Sequence, residues 1–123
     1  MILGDKSILV VEDNDLNMKM VRHLLQMGRY RVIEAQDAEI GIRLAREHRP
    51  DLILMDINLP GMDGLSATRL IKKDPALKEI AVVAITSYAM LGDEKKAREA
   101  GCAEFITKPI DTRKFLDMIS RNF

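Results

Sequence analysis

Three acidic residues close apolar runs in this chain: Glu12 and Asp13 follow Ser7 to Val11, and Asp56 ends Asp51-Leu52-Ile53-Leu54-Met55. In an open parallel α/β sheet the carboxyl ends of neighbouring strands meet at one edge, where ligands bind. Three carboxylates gathered there repel one another, and a divalent cation held by oxygens relieves the repulsion. Two later runs end in Thr86-Ser87 and in Thr107-Lys108-Pro109, which adds hydroxyls and an ammonium. A metal on carboxylates with positions open to phosphate oxygens, a Lys opposite and a Thr alongside, is equipped to clamp a phosphoryl group during transfer. Asp56 would then be the nucleophile, its carboxylate attacking phosphorus to give an acyl phosphate.

Bringing these residues to one place is a task for the elements between them. Near-continuous apolar runs recur at Ile8 to Val11, Arg31 to Ala35, Leu52 to Met55, Ile80 to Ile85 and Glu104 to Thr107, as expected of strands buried on both faces. Amphipathic patterns separate them. Leu16, Met20, Leu24 and Met27 predict the core face of a first helix, and Ala38, Ile42 and Ala45 that of a second, with Asp37 as its N-cap. A third helix is expected from about Leu65 to Lys73, stopping before Pro75, and a fourth from Asp93 to Ala100, stopping at Gly101 as a left-handed C-cap. The last follows Asp111 as N-cap and carries Phe115 and Ile119 four apart. Alternating strands and helices with short connections predict an α/β fold: a doubly wound five-stranded parallel sheet flanked by five helices, with right-handed crossovers and the flavodoxin-like order 2-1-3-4-5. In that order the first and third strands are neighbours, and Glu12, Asp13 and Asp56 converge.

At 123 residues the chain is read as a single domain, 1–123. Its 19 Lys and Arg balance 19 Asp and Glu, so net charge supplies no footprint for nucleic acid or an anionic membrane. Cys102 is the sole cysteine, which excludes an internal disulfide, and no apolar run approaches the roughly 20 residues of a membrane span or the flanks of a signal peptide. The expected compartment is the cytoplasm. Cys102, with no neighbouring His, reads as a small buried hydrophobe. His23 and His48 read as surface residues, Met18, Met20 and Met27 as core or boundary fillers, and Lys95, Lys96 and Arg98 as a solvated helix face. Ile40 and Leu44 lie off the core stripe and read as incidental surface apolars. Each acid also has a plain explanation: Asp13 or Asn14 as the N-cap of the first helix, Asp56 as the cap of a loop. Their coincidence at one sheet edge with Thr86 and Lys108 favours the site.

The chain resembles the receiver domains of two-component response regulators over essentially its whole length. The motifs are Val11-Glu12-Asp13-Asn14, the segment Met55-Asp56-Ile57-Asn58-Leu59-Pro60-Gly61-Met62-Asp63-Gly64, Ile85-Thr86-Ser87 and Lys108-Pro109, in order and at matching strand ends. The wording Glu12-Asp13-Asn14 with Asn17, and Ser87-Tyr88-Ala89-Met90 before Gly92-Asp93-Glu94, is most similar to stand-alone DivK-type regulators and to receivers fused to hybrid kinases. The resemblance implies that Asp56 is phosphorylated and that Asp13, Asp56 and the Asn58 carbonyl bind magnesium, Glu12 acting through water. It implies that Lys108 pairs with the phosphoryl oxygens, that Thr86 hydrogen-bonds one of them, and that the ring of Phe105 turns inward as Thr86 moves. It implies a cis peptide before Pro109. Glu12 stands where Asp is more frequent, and Gly28 comes early before the second strand.

The implied donor is a phosphohistidine on a sensor histidine kinase or histidine phosphotransfer protein. The implied output is a downstream protein bound through the face made by the fourth helix, fifth strand and fifth helix, or a relay to another His. The chain ends soon after the fifth helix, so no DNA-binding or enzymatic output domain is expected, and its only catalysis would be its own phosphoryl transfer and autodephosphorylation. The resemblance implies that the positions of Asn58 and Tyr88 crowd or admit the attacking water, and the bulk of Tyr88 is expected to lower its access. Three rivals remain. An aspartyl phosphatase of the haloacid-dehalogenase kind would use Asp13 in Asp13-Asn14-Asp15 as nucleophile, but Leu16 begins a helix at once and Asp56 is left without a role. A flavodoxin needs a hydroxyl- and glycine-rich loop where this one is acidic. A receiver that docks partners without phosphorylation leaves the intact acid, Thr and Lys set unexplained.

Overall fold

The computed structural model describes residues 6–86 and 92–123, so the expectations that fall on Ser87, Tyr88, Ala89 and Met90 lie outside the described residues. The five apolar runs form β1 (Ser7–Val11), β2 (Arg31–Ala35), β3 (Leu52–Asp56), β4 (Ala81–Thr86) and β5 (Glu104–Thr107). All pair in parallel in the order β2-β1-β3-β4-β5. Helices α1 (Asp15–Met27), α2 (Ala38–His48), α3 (Gly64–Lys73), α4 (Asp93–Ala100) and α5 (Thr112–Ser120) occupy the connections, as the alternating pattern predicts.

Because side chains alternate across a strand, each run divides between two cores. Ile8, Val10, Leu52, Leu54, Val83 and Ile85 face one side of the sheet, where Val21, Leu25, Phe115 and Ile119 of α1 and α5 cover them. Leu9, Val11, Ile53, Met55, Val82 and Ala84 face the other, under Ile42, Ala67, Ile71 and Ala97 of α2, α3 and α4. A strand buried on both faces has no polar side, which is why these segments read as continuous apolar runs.

Helix entries are fixed by short polar caps. Asn14 Oδ1 accepts from the Asn17 N–H at 3.0 Å, Asp37 Oδ1 from Ile40 at 2.8 Å, Asp63 Oδ1 from Ser66 at 2.9 Å and Asp111 Oδ1 from Arg113 at 3.0 Å. Gly101 closes α4 in the left-handed conformation at φ 111°, as expected.

Two sequence expectations about packing are corrected. The buried face of α1 is Met18, Val21, Leu24 and Leu25; of the predicted stripe only Leu24 is buried, while Leu16 is 78% exposed, Met27 63% and Met20 39%. Positions 16, 20 and 27 and positions 18, 21 and 25 each satisfy helical spacing, and the chain's exit from β1 through the Asn14 cap turns the second set toward the sheet. Met20 and Met27 are therefore surface residues, not fillers. Ile40 and Leu44, conversely, are half-buried and pack against the core on the α2 side of the sheet. The left-handed position after α1 is taken by Arg29, at φ 67°. Gly28 serves close approach instead, since a Cβ there would lie 2.8 Å from Leu116 Cδ2.

Candidate functional site

Register sets the site. Val11 pairs with Met55, so Glu12, one residue on, stands beside Asp56, while Asp56 pairs with Ile85 and Thr86 with Thr107. The carboxyl ends of β1, β3, β4 and β5 thereby present Glu12, Asp56, Thr86 and Lys108 at one level. Carboxylate oxygens of Glu12, Asp13 and Asp56 all lie within 4.8 Å of one another. Glu12 and Asp56 are buried, at 4% and 6% exposure, and Asp13 is exposed. The capping of α1 falls to Asn14, which leaves the Asp13 carboxylate for the cluster.

Lys108 supplies the cation. Its Nζ donates to Glu12 Oε1 at 2.6 Å and lies 3.7 Å from Asp56 Oδ2. Its backbone N–H donates to the Thr86 carbonyl at 2.8 Å, which ties the lysine to the end of β4, and the Lys108–Pro109 peptide is cis. Asp56 Oδ1 accepts from the Asn58 N–H at 2.9 Å. Thr86 is fully buried, and its Oγ1 accepts from Asn58 Nδ2 at 2.6 Å.

Burial pushes the Glu12 carboxyl above its ordinary range, Asp56 pushes it further the same way, and the bond from Lys108 offsets part of the rise. The donors are oxygens alone, with two carboxylates buried and a third open to solvent. That chemistry suits a hard cation such as magnesium, which takes one or two carboxylates and keeps positions for water or phosphate. Glu12, Asp13 and Asp56 fit such an ion.

The sequence-predicted residues Glu12, Asp13, Asp56, Thr86 and Lys108 are thus brought together. Phe105 is half-buried on β5, packed against the α2 side of the sheet. His23 and His48 are exposed and take no part; Cys102 is buried, and burial pushes its thiol up. Two relationships were not anticipated: the direct Lys108–Glu12 bond, and the Asn58 side chain reaching Thr86. Only the placement of Asn58 two residues beyond Asp56 hinted at the second.

The sequence model of the response regulator receiver domain matches residues 8–120. The chain belongs to that family. The receiver is 47% identical over 114 residues to the polar-differentiation response regulator DivK of Brucella anthropi, covering 93% of each chain. Among solved structures it is similar to the receiver domain of a Pseudomonas aeruginosa sensor histidine kinase, which holds magnesium in its active-site cleft. The identity there is 34% and the TM-score 0.87, over 94% of this chain and 95% of that one. A Vibrio cholerae chemotaxis protein, CheY4, shares the fold at 24% identity and TM-score 0.89, over 96% and 98% of the two chains. The receiver is a DivK-like phosphorylation switch of two-component signalling, a setting whose partners are histidine kinases or phosphotransfer proteins. The haloacid-dehalogenase reading gains nothing: α1 begins at Asp15, which leaves no room for a flap, and Asp56 rather than Asp13 lies buried. No described helix is long and apolar enough to cross a membrane.

Proposed function

We propose that Asp56 is the phosphoacceptor. The observation that carries this is the buried Asp56 carboxylate beside two more acids, with the Lys108 ammonium 3.7 Å away. Asp56 attacks the phosphorus of a phosphohistidine, the P–N bond breaks, the imidazole leaves with the electron pair and takes up a proton, and an acyl phosphate remains. Asp13, Asp56 and the Asn58 carbonyl would hold magnesium, with Glu12 acting through water. Bound there, the ion would neutralise charge on the transferring phosphoryl oxygens. Lys108 pairs with those oxygens and Thr86 donates to one, so the protein's share of catalysis is positioning and charge. Water returns Asp56 and inorganic phosphate, which resets the switch.

The donor is a sensor histidine kinase or a histidine phosphotransfer protein. Phosphorylation adds about two negative charges to the pocket, and drawing Thr86 and Lys108 toward them biases the packing of Phe105. Phe105 lines a groove with Pro109, Ile110, Lys114 and Met118 on the β5-α5 part of the α4-β5-α5 face, the output surface for a downstream protein, with residues 1–123 acting as one domain.

Intact mass after incubation with acetyl phosphate tests this, with and without magnesium, for the parent chain and Asp56→Asn. A magnesium-dependent gain of one phosphoryl group, absent in Asp56→Asn, is the expected result. No adduct, or one that survives Asp56→Asn, overturns it.

A further inference from the structure

Glu12 is held at both of its carboxylate oxygens. Oε1 accepts from Lys108 Nζ at 2.6 Å and Oε2 from the Asn14 N–H at 3.2 Å, with the Glu12 side chain 4% exposed and that of Lys108 10%. The same Nζ stands 3.7 Å from Asp56 Oδ2, outside hydrogen-bond range. The lysine is thus bonded to the neighbour of the acid it is to serve. We infer that Glu12 is a positioning residue that restrains Lys108, so that the strength of this bond sets how readily the ammonium passes to a phosphoryl group on Asp56. The inference rests on Asp56 being the phosphoacceptor.

A hydrogen bond between an ammonium and a carboxylate is about twice as strong as a neutral one, and this one is made before any phosphoryl group arrives. Its contribution to the resting pocket is lost when the ammonium moves, so it stabilises the ground state and not the transition state. The arm of Glu12 provides the reach: an aspartate at 12 would be shorter by one carbon–carbon bond, about 1.5 Å. Lys108 is limited in following a shorter arm, because its backbone N–H is bonded to the Thr86 carbonyl at 2.8 Å. A carboxylate that only added negative charge to the acid cluster would need no bond to the lysine.

Glu12→Asp keeps the carboxylate and its charge and removes the reach, so a double-mutant cycle with Lys108 isolates the restraint. Labelling by acetyl phosphate at saturating magnesium would be followed by intact mass for the parent, Glu12→Asp, Lys108→Met and the double variant. Glu12→Asp should raise the maximal rate about fivefold, the worth of one ground-state hydrogen bond, and leave half-saturating acetyl phosphate unchanged. In the Lys108→Met background the same change should do nothing. The magnesium concentration giving half of the rise in melting temperature should agree within about twofold between Glu12→Asp and the parent. Labelling that is unchanged or slower in Glu12→Asp, equal acceleration without Lys108, or a gain matched by tighter magnesium would overturn the restraint while leaving Asp56 as the acceptor. Proton exchange of the Lys108 ammonium, followed by NMR on lysine labelled with nitrogen-15, decides the matter even where Lys108→Met does not fold. Exchange should be slow in the parent and fast in Glu12→Asp, and equal exchange overturns the restraint. A parent chain that takes no phosphoryl group would overturn both this inference and the role of Asp56.

Discussion

Lys108 is bonded to Glu12, at 2.6 Å, and stands 3.7 Å from Asp56, so the buried cation belongs first to the acid that ends β1. A proton donor this close to a carboxylate raised by burial offsets the cost of keeping Glu12 charged beside Asp56. On the proposed role of Asp56, taking the lysine onto a phosphoryl oxygen would mean releasing Glu12, which a cation held at the acid cluster would make easier.

Lys108→Met should therefore destabilise the metal-free protein by about 3 kcal/mol, because it leaves paired buried acids without a counter-charge. Magnesium held by Glu12, Asp13 and Asp56 would supply the missing charge, so it should raise the melting temperature more in Lys108→Met than in the parent. Melting curves at matched magnesium concentrations decide this. An equal gain in both proteins would mean that Lys108 and the metal do not share the burden of the same carboxylates.

Asp63 predicts an acid-side dependence. Its Oδ1 accepts from the Ser66 N–H and its Oδ2 from the Ser66 hydroxyl, both at 2.9 Å, and these bonds hold its carboxyl below the ordinary 3.8. A carboxyl depressed in the fold binds fewer protons there than in the unfolded chain. Its stabilisation is present above 3.8 and is lost as pH falls through the folded value. Asp63→Ala should cost about 1 kcal/mol at neutral pH through loss of the α3 cap. Asp63→Asn retains a capping oxygen but cannot titrate, so its urea midpoint should fall less than the parent's between pH 5 and 3. Parallel falls would assign the acid sensitivity elsewhere.

The two apolar stripes of α1 make the third prediction and show where sequence reading stops. Leu16 is 78% exposed and Leu25 fully buried. Leu25→Ala should cost about 2–5 kcal/mol and Leu16→Ser within about 0.5 kcal/mol, by chemical denaturation. A large loss at Leu16 would place the wrong stripe on the sheet. The strands were legible because burial on both faces leaves no polar positions, and the acids, Thr86 and Lys108 were legible because each ends a strand. The face of α1 was not, since two sets of residues share helical spacing and the choice lies in how the chain leaves β1. Nor was the Lys108–Glu12 bond, because residues 96 apart in sequence meet at a distance that no spacing encodes.

Gly61 and Gly64 sit in one motif and differ in what they do. Gly61 has φ 72°, with open space where a Cβ would be. Gly64 opens α3 against β3: a Cβ there would meet the Asp56 carbonyl oxygen and stand 2.7 Å from Ile57 Cα, both backbone atoms. Alanine at 61 should cost about 1 kcal/mol, the penalty of a left-handed L-residue, and leave phosphorylation as in the parent. Alanine at 64 cannot be accommodated by rotating a side chain; either α3 moves off the sheet or the end of β3 moves, and Asp56 with it. It should cost about 2–3 kcal/mol and, with Asp56 as the proposed acceptor, slow acetyl-phosphate labelling about tenfold or more, since small misplacements of a nucleophile are expensive. Melting and labelling measured on both variants test the pair. If Gly64→Ala is destabilised but labels at the parent's rate, α3 has yielded rather than β3, and the position of Asp56 is set by its own strand and not by the helix that follows it.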